Sequence, residues 1–194
     1  LDEVITLFVD INQQGEPVKR FDIVKALYGT DPVLKGVFEL LAVEQRRGQD
    51  IFYKPKNNEF TAVLKRLQVI ESVASSNAKV DKMWERLLEF VLFERTKEHR
   101  NSVAILKEFI TPSGNKAKRP KLTLTETKNL RKVFRFLKSQ LPELAKSRLL
   151  SDQTHSYTLI TSMLRTDLLK HTSSSALGQK LKTFSSLLDD GVPE

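Results

Sequence analysis

The sequence predicts an all-α fold, an irregular bundle of about seven to eight amphipathic helices, and three observations predict it. Apolar residues recur at the three- and four-residue spacing of a helix face through most of the chain. No stretch alternates cleanly between apolar and polar residues as a half-buried strand would. Clusters of Gly, Pro, Ser and Thr fall between the apolar stripes, where helices have to stop.

The elements follow in order. Leu7, Phe8, Val9 and Ile11 form an apolar element that runs into Asn12, Gln13, Gln14 and Gly15. Asn12 can bond its own neighbouring backbone and Gly15 can take positive φ, so this is a turn. Pro17, Val18, Phe21, Ile23, Val24 and Leu27 then give a short helix. Val33, Leu34, Val37, Phe38 and Leu41 make a stripe expected to end near Gly48, and Asp50 to Lys54 is a short extended piece too brief to anchor a sheet. Phe60, Val63, Leu64, Leu67, Ile70 and Val73 make the next stripe. Asn77 is placed to cap a helix carrying Val80, Trp84, Leu87, Leu88, Val91 and Leu92, which puts Trp84 in the core. A helix from about Ser102 to Ile110 is broken by Thr111, Pro112, Ser113 and Gly114.

Thr123 and Glu126 have capping-box spacing ahead of Leu130, Val133, Phe134, Leu137 and Leu141. Tyr157, Ile160, Leu164 and Leu168 define one further helix; Leu177, Leu181, Phe184 and Leu188 define the last, with Ser173, Ser174 and Ser175 as its caps. The division expected is a helical region over 1–110, a basic linker over 111–122 and a C-terminal helical subdomain over 123–194.

Composition narrows the function classes. The chain has 194 residues, 40% hydrophobic and 29% charged, which is ordinary for a globular protein. It has no cysteine, which excludes disulfides, thiol catalysis and thiolate metal sites. No apolar run approaches the roughly 18 residues a bilayer crossing needs. The expectation is a cytoplasmic chain with no membrane partner, a monomer or a homodimer; Leu1 in first place fits a piece of a longer polypeptide.

The net charge of +8 is not spread evenly. Between Thr111 and Lys138 nine basic residues (Lys116, Lys118, Arg119, Lys121, Lys128, Arg131, Lys132, Arg135, Lys138) stand against one acid, Glu126, and the remainder of the chain is formally neutral. Lys128, Arg131, Arg135 and Lys138 share one face of the predicted helix, opposite its apolar stripe. Lys116, Lys118, Arg119 and Lys121 extend the charge into the loop before it. Such a patch suits the phosphates of DNA, contacted through the backbone without reading sequence.

Other chemistry finds little support. His99, His155 and His171 are far apart, and only Asp167 with His171 could share an ion on one helix face, whereas a metal site needs three or four donors. No Gly-x-Ser-x-Gly elbow and no phosphate-binding glycine loop occur. Glu85 and Glu89 beside Lys82 and Arg86 read as a salt-laced, solvent-facing helix surface. Arg95 to Arg100 reads as a helix end whose cations complement the dipole. No catalytic residue, metal or cofactor is expected.

The string from Leu7 through Phe8, Asn12, Gly15 and Val18, followed by Phe21 to Leu27, resembles the Phe-x-x-Ile-Asn-x-x-Gly turn of the GmrSD-like, modification-dependent restriction endonuclease family, whose first domain is related to ParB and sulfiredoxin. A second stretch, Trp84 to Phe90, Arg95 to Arg100 and Ile105 to Ile110, is similar to the helical region after that turn. The likeness covers about residues 1–110. The family's nucleotide-handling site centres on an Asp-Gly-Gln-Gln-Arg sequence upstream of the turn, and no such sequence occurs here. Many members also carry a His-Asn-His nuclease domain, which three isolated histidines cannot supply. The resemblance therefore implies a non-catalytic helical module of a phage-defence protein, one that contacts DNA or supports the catalytic domains of its parent polypeptide. The alternative is a protein-interaction scaffold with no nucleic-acid role.

Overall fold

The computed structural model describes residues 31–67, 76–99, 121–144, 146–166 and 168–190. Phe8, Asn12, Gly15, Lys116, Lys118, Arg119, Asp167 and the stretch from Ser102 to Ile110 lie outside them. The described residues form eight helices and one two-stranded hairpin, so the protein is an all-α irregular bundle.

Helix α1 (Pro32–Leu41) starts where Asp31 accepts from the Val33 and Leu34 amides at 2.8 and 3.4 Å, with Pro32 in the first turn. It ends at Leu41, well before Gly48, because the chain then turns into strands β1 (Ala42–Arg47) and β2 (Asp50–Pro55), paired antiparallel from Ala42 opposite Pro55 to Arg47 opposite Asp50. The extended piece at Asp50 to Lys54 is therefore one arm of a hairpin whose other arm continues directly from the helix. Gly48 takes φ +64° in the two-residue loop, the conformation that a glycine-first hairpin turn demands.

Helix α2 (Glu59–Leu64) is short and doubly capped. Asn58 accepts from the Thr61 amide at 3.1 Å, Thr61 accepts from the Asn58 amide at 3.3 Å, and the Asn58 amide group also donates to the Leu40 carbonyl at 2.6 Å. Helix α3 (Ser76–Thr96) begins one residue before Asn77, which is inside it rather than capping it. Helix α4 (Leu124–Leu144) is followed by α5 (Arg148–Ser151), α6 (Gln153–Thr166), α7 (Leu168–His171) and α8 (Ser174–Asp190).

Helices α3 and α4 pack on each other and carry the rest: α1, α2 and α6 lie against α3, and α2, α6 and α8 against α4. One core draws on residues either side of the 111–122 segment, from Val33, Phe60 and Leu87 to Phe134, Leu150 and Ile160. Trp84 is 5% exposed, and its indole N–H donates to the Leu34 carbonyl at 3.0 Å, tying α3 to α1. In α8 the stripe is narrower than its spacing predicts: Leu177 and Leu181 are buried, but Phe184 is 53% exposed while Ser185 is buried. Leu168 opens α7 instead of extending α6. No helix among the described residues is long and apolar enough to cross a membrane.

Candidate nucleic-acid interface

The capping box at the head of α4 forms as its spacing requires. The Thr123 amide donates to Glu126 at 2.7 Å and the Glu126 amide donates to the Thr123 hydroxyl at 3.1 Å. Glu126 also receives the Arg95 guanidinium at 2.6 and 3.1 Å, and Arg95 donates to the Lys121 carbonyl at 3.4 Å. Burial alone would raise the Glu126 carboxyl; the bonds from Arg95 and Thr123 outweigh it and hold the carboxyl below its ordinary range. The one acid of the basic window is thereby committed, and Arg95, at the end of α3, is bound within the fold.

Beyond the cap, α4 divides cleanly. Leu130, Val133, Phe134 and Leu137 are buried, and so is Phe136, because α6 and α8 close over an arc wider than the sequence stripe. Lys128, Arg131, Lys132, Arg135 and Lys138 are all exposed. Lys121 is exposed at the end of the loop, so five of the predicted phosphate-contacting residues (Lys121, Lys128, Arg131, Arg135, Lys138) are placed, and Lys132 joins them.

These cations border a groove. A cavity of about 780 Å³ runs between α4, Leu169 of α7 and Ser174 at the start of α8, with Lys128, Arg131, Lys132 and Arg135 along its side. Ser173 caps α8, accepting from the Ala176 amide at 3.2 Å. The positive end of a 17-residue helix thus lies at the groove wall. Glu59, at the start of α2, is the feature that sequence reasoning missed. Its carboxylate is 3.6 Å from the Nε atoms of both Arg131 and Arg135 while its own side chain is only 14% exposed. One largely covered carboxylate so holds two of the four groove-lining cations side by side. Only the packing of α2 on α4 could reveal it, since some 70 residues separate the partners.

The remaining candidates resolve as structure. His99 packs at a tilt against Phe93 and Tyr157, with ring centroids at 4.9 and 5.7 Å. The His155 amide donates to Asp152 at 2.9 Å, which caps α6. His171 is exposed at the end of α7. No group of three His, Asp or Glu side chains among the described residues is placed to hold a metal ion. Lys82 with Glu85 and Arg86 with Glu89 pair at 2.9 and 2.6 Å, but the second pair does not face solvent: Glu89 is 12% exposed and its carboxyl is raised by burial in spite of Arg86. Helix α6 covers that side of α3.

Fold and groove together define a helical module with a cation-lined groove. Comparison with protein-family models, with curated proteins and with solved structures gives no match.

Proposed function

We propose that the chain is a non-catalytic helical module that grips the phosphate backbone of DNA in the groove between α4, α7 and α8, without reading sequence. The observation that carries this reading is the set of five exposed cations on one face of α4, beside a groove that a helix N-terminus also enters. Four cations on a rigid helix meet phosphates at little ordering cost, and Glu59 keeps two of them aligned. The wider setting proposed is a GmrSD-like restriction protein, supported by the Phe8–Asn12–Gly15 string and its helical sequel. In that setting the parent's catalytic domains are the second partner.

Duplex binding followed across a salt titration tests it. Four neutralised phosphates give a slope of about −3.6 in log affinity against log salt, at about 0.9 per contact. Changing Lys128, Arg131, Lys132 and Arg135 to alanine flattens that slope and weakens binding at low salt, with the fold intact because all four lie off the buried face. Equal binding by both proteins sinks the reading. The scaffold alternative then gains, since Phe184 and Leu187 on α8 are each 53% exposed and suit a protein partner.

A further inference from the structure

A second cavity, of about 650 Å³, opens between α1, the hairpin and α3, a size common among small-molecule sites. Three rings line it. Phe38 is met edge-on by Tyr53 at 4.8 Å and 75° and by Trp84 at 5.1 Å and 64°. Trp84 is fixed through Leu34, and Tyr53 is fixed by its place in the hairpin opposite Glu44. A flat π-system can lie against one of these rings and meet its neighbour edge-on, an arrangement that aromatic pairs favour.

The rim carries polar groups of both signs. The Lys56 ammonium is taken by the Glu39 carbonyl, and Glu44 is paired with Arg46 at 2.9 Å. Lys35 and Glu39, one turn apart on α1, are exposed, and among the described residues neither side chain has an ion-pair or hydrogen-bond partner; the Tyr53 hydroxyl has none either. One ammonium, one carboxylate and one phenol therefore face this cavity uncommitted. A simple cation would meet Lys35, and a simple anion would meet Glu39. A planar ring that presents a carbonyl beside N–H donors satisfies both groups at once.

We propose that this cavity binds a nucleobase, carried by a free nucleotide or unpaired in a strand. The ring packs against Phe38 and Tyr53, face-on to one and edge-on to the other, Glu39 accepts from its N–H edge, and Lys35 donates to its carbonyl. The site is separate from the α4 groove and does not rest on it.

Trp84 is the single tryptophan of the chain, so its fluorescence reports occupancy directly. Guanosine 5′-monophosphate, whose base has a carbonyl next to N–H donors, is expected to change that signal saturably, and ribose 5-phosphate is expected to leave it unchanged. Glu39→Ala, at an exposed position, and Tyr53→Leu, which keeps apolar bulk, should each weaken binding about tenfold, the weight of one aromatic or charge-assisted contact. If Tyr53→Leu melts early, Glu39→Ala decides alone. Displacement of the mononucleotide by a single-stranded oligonucleotide identifies a strand as the source of the base, and failure to displace it identifies a free nucleotide. The four groove substitutions should leave mononucleotide binding intact, so the two sites can fail separately. No saturable change with either probe, equal response to ribose 5-phosphate, or undiminished binding by Glu39→Ala overturns the proposal.

Discussion

Trp84 joins the core to the aromatic cavity. Its ring is nearly closed off from solvent, touches Phe38, and donates to the Leu34 carbonyl across the α1–α3 contact. Trp84→Ala should lower stability by about 3–5 kcal/mol, the usual cost of emptying a large core site, measured by urea unfolding; a loss below about 1 kcal/mol would contradict the burial. Lys97 shows a different kind of residue-level constraint. It takes φ +57° just past α3, where its ammonium reaches the buried Glu94 at 2.6 Å and the Leu164 carbonyl at 3.1 Å, and its own carbonyl accepts from Arg165 at 2.9 Å. Asn129 of α4 supplies the other bond to Glu94, at 2.8 Å. A long side chain in the left-handed region is thus held by Glu94 of α3 and by α6, while α4 reaches it only through Glu94. Nothing in the local sequence around Lys97 points to that arrangement, because both partner helices come from more than 30 residues away.

At the scale of the element, α4 shows how much of a helix local sequence can specify. Thr123, three residues ahead of Glu126, predicted the cap, and the stripe from Leu130 to Leu137 predicted the buried face; both are as found. Because Glu126 is held below its ordinary value of 4.5, the folded chain binds that proton less readily than the unfolded chain. Its contribution is therefore present above about pH 4.5 and is lost as pH falls through the lower folded value. Glu126→Gln should flatten the acid limb of the stability profile, seen in thermal melts between pH 3 and pH 6, roughly the range in which carboxylates titrate; an unchanged acid limb would show that the cap has no part in it. The α1–β1 junction was less legible. The spacing of Val33 to Leu41 fits a helix, but whether the chain continues as helix or leaves as strand depends on β1 finding β2, a pairing closed by Gly48 and packed against α1 and α3. Close approaches were equally hidden: a side chain at Gly36 would lie 3.2 Å from Leu122, and one at Gly178 would lie 2.5 Å from Gln140.

Across the whole molecule, the packing of α2 on α4 decides the character of the groove, since it sets Glu59 against Arg131 and Arg135. Ion pairs this exposed add at most about 1 kcal/mol of stability, so their consequence is electrostatic. Glu59→Gln removes the carboxylate paired with Arg131 and Arg135 and should tighten DNA binding at low salt several-fold, with little change in melting temperature, as a gel-shift series would register. Weaker binding would mean that aligning the guanidiniums outweighs the charge. The sequence by itself determined the helical class, the buried stripes, the α4 cap and the concentration of charge between Thr111 and Lys138, because helical periodicity, capping and charge counting act over a few residues. Tertiary structure alone decided that Phe184 faces solvent while Phe136 does not, that Glu89 is covered, and that Phe38, Tyr53 and Trp84 line one cavity. Each of those outcomes depends on which distant helix occupies the space beside a residue, and short-range spacing carries no record of that.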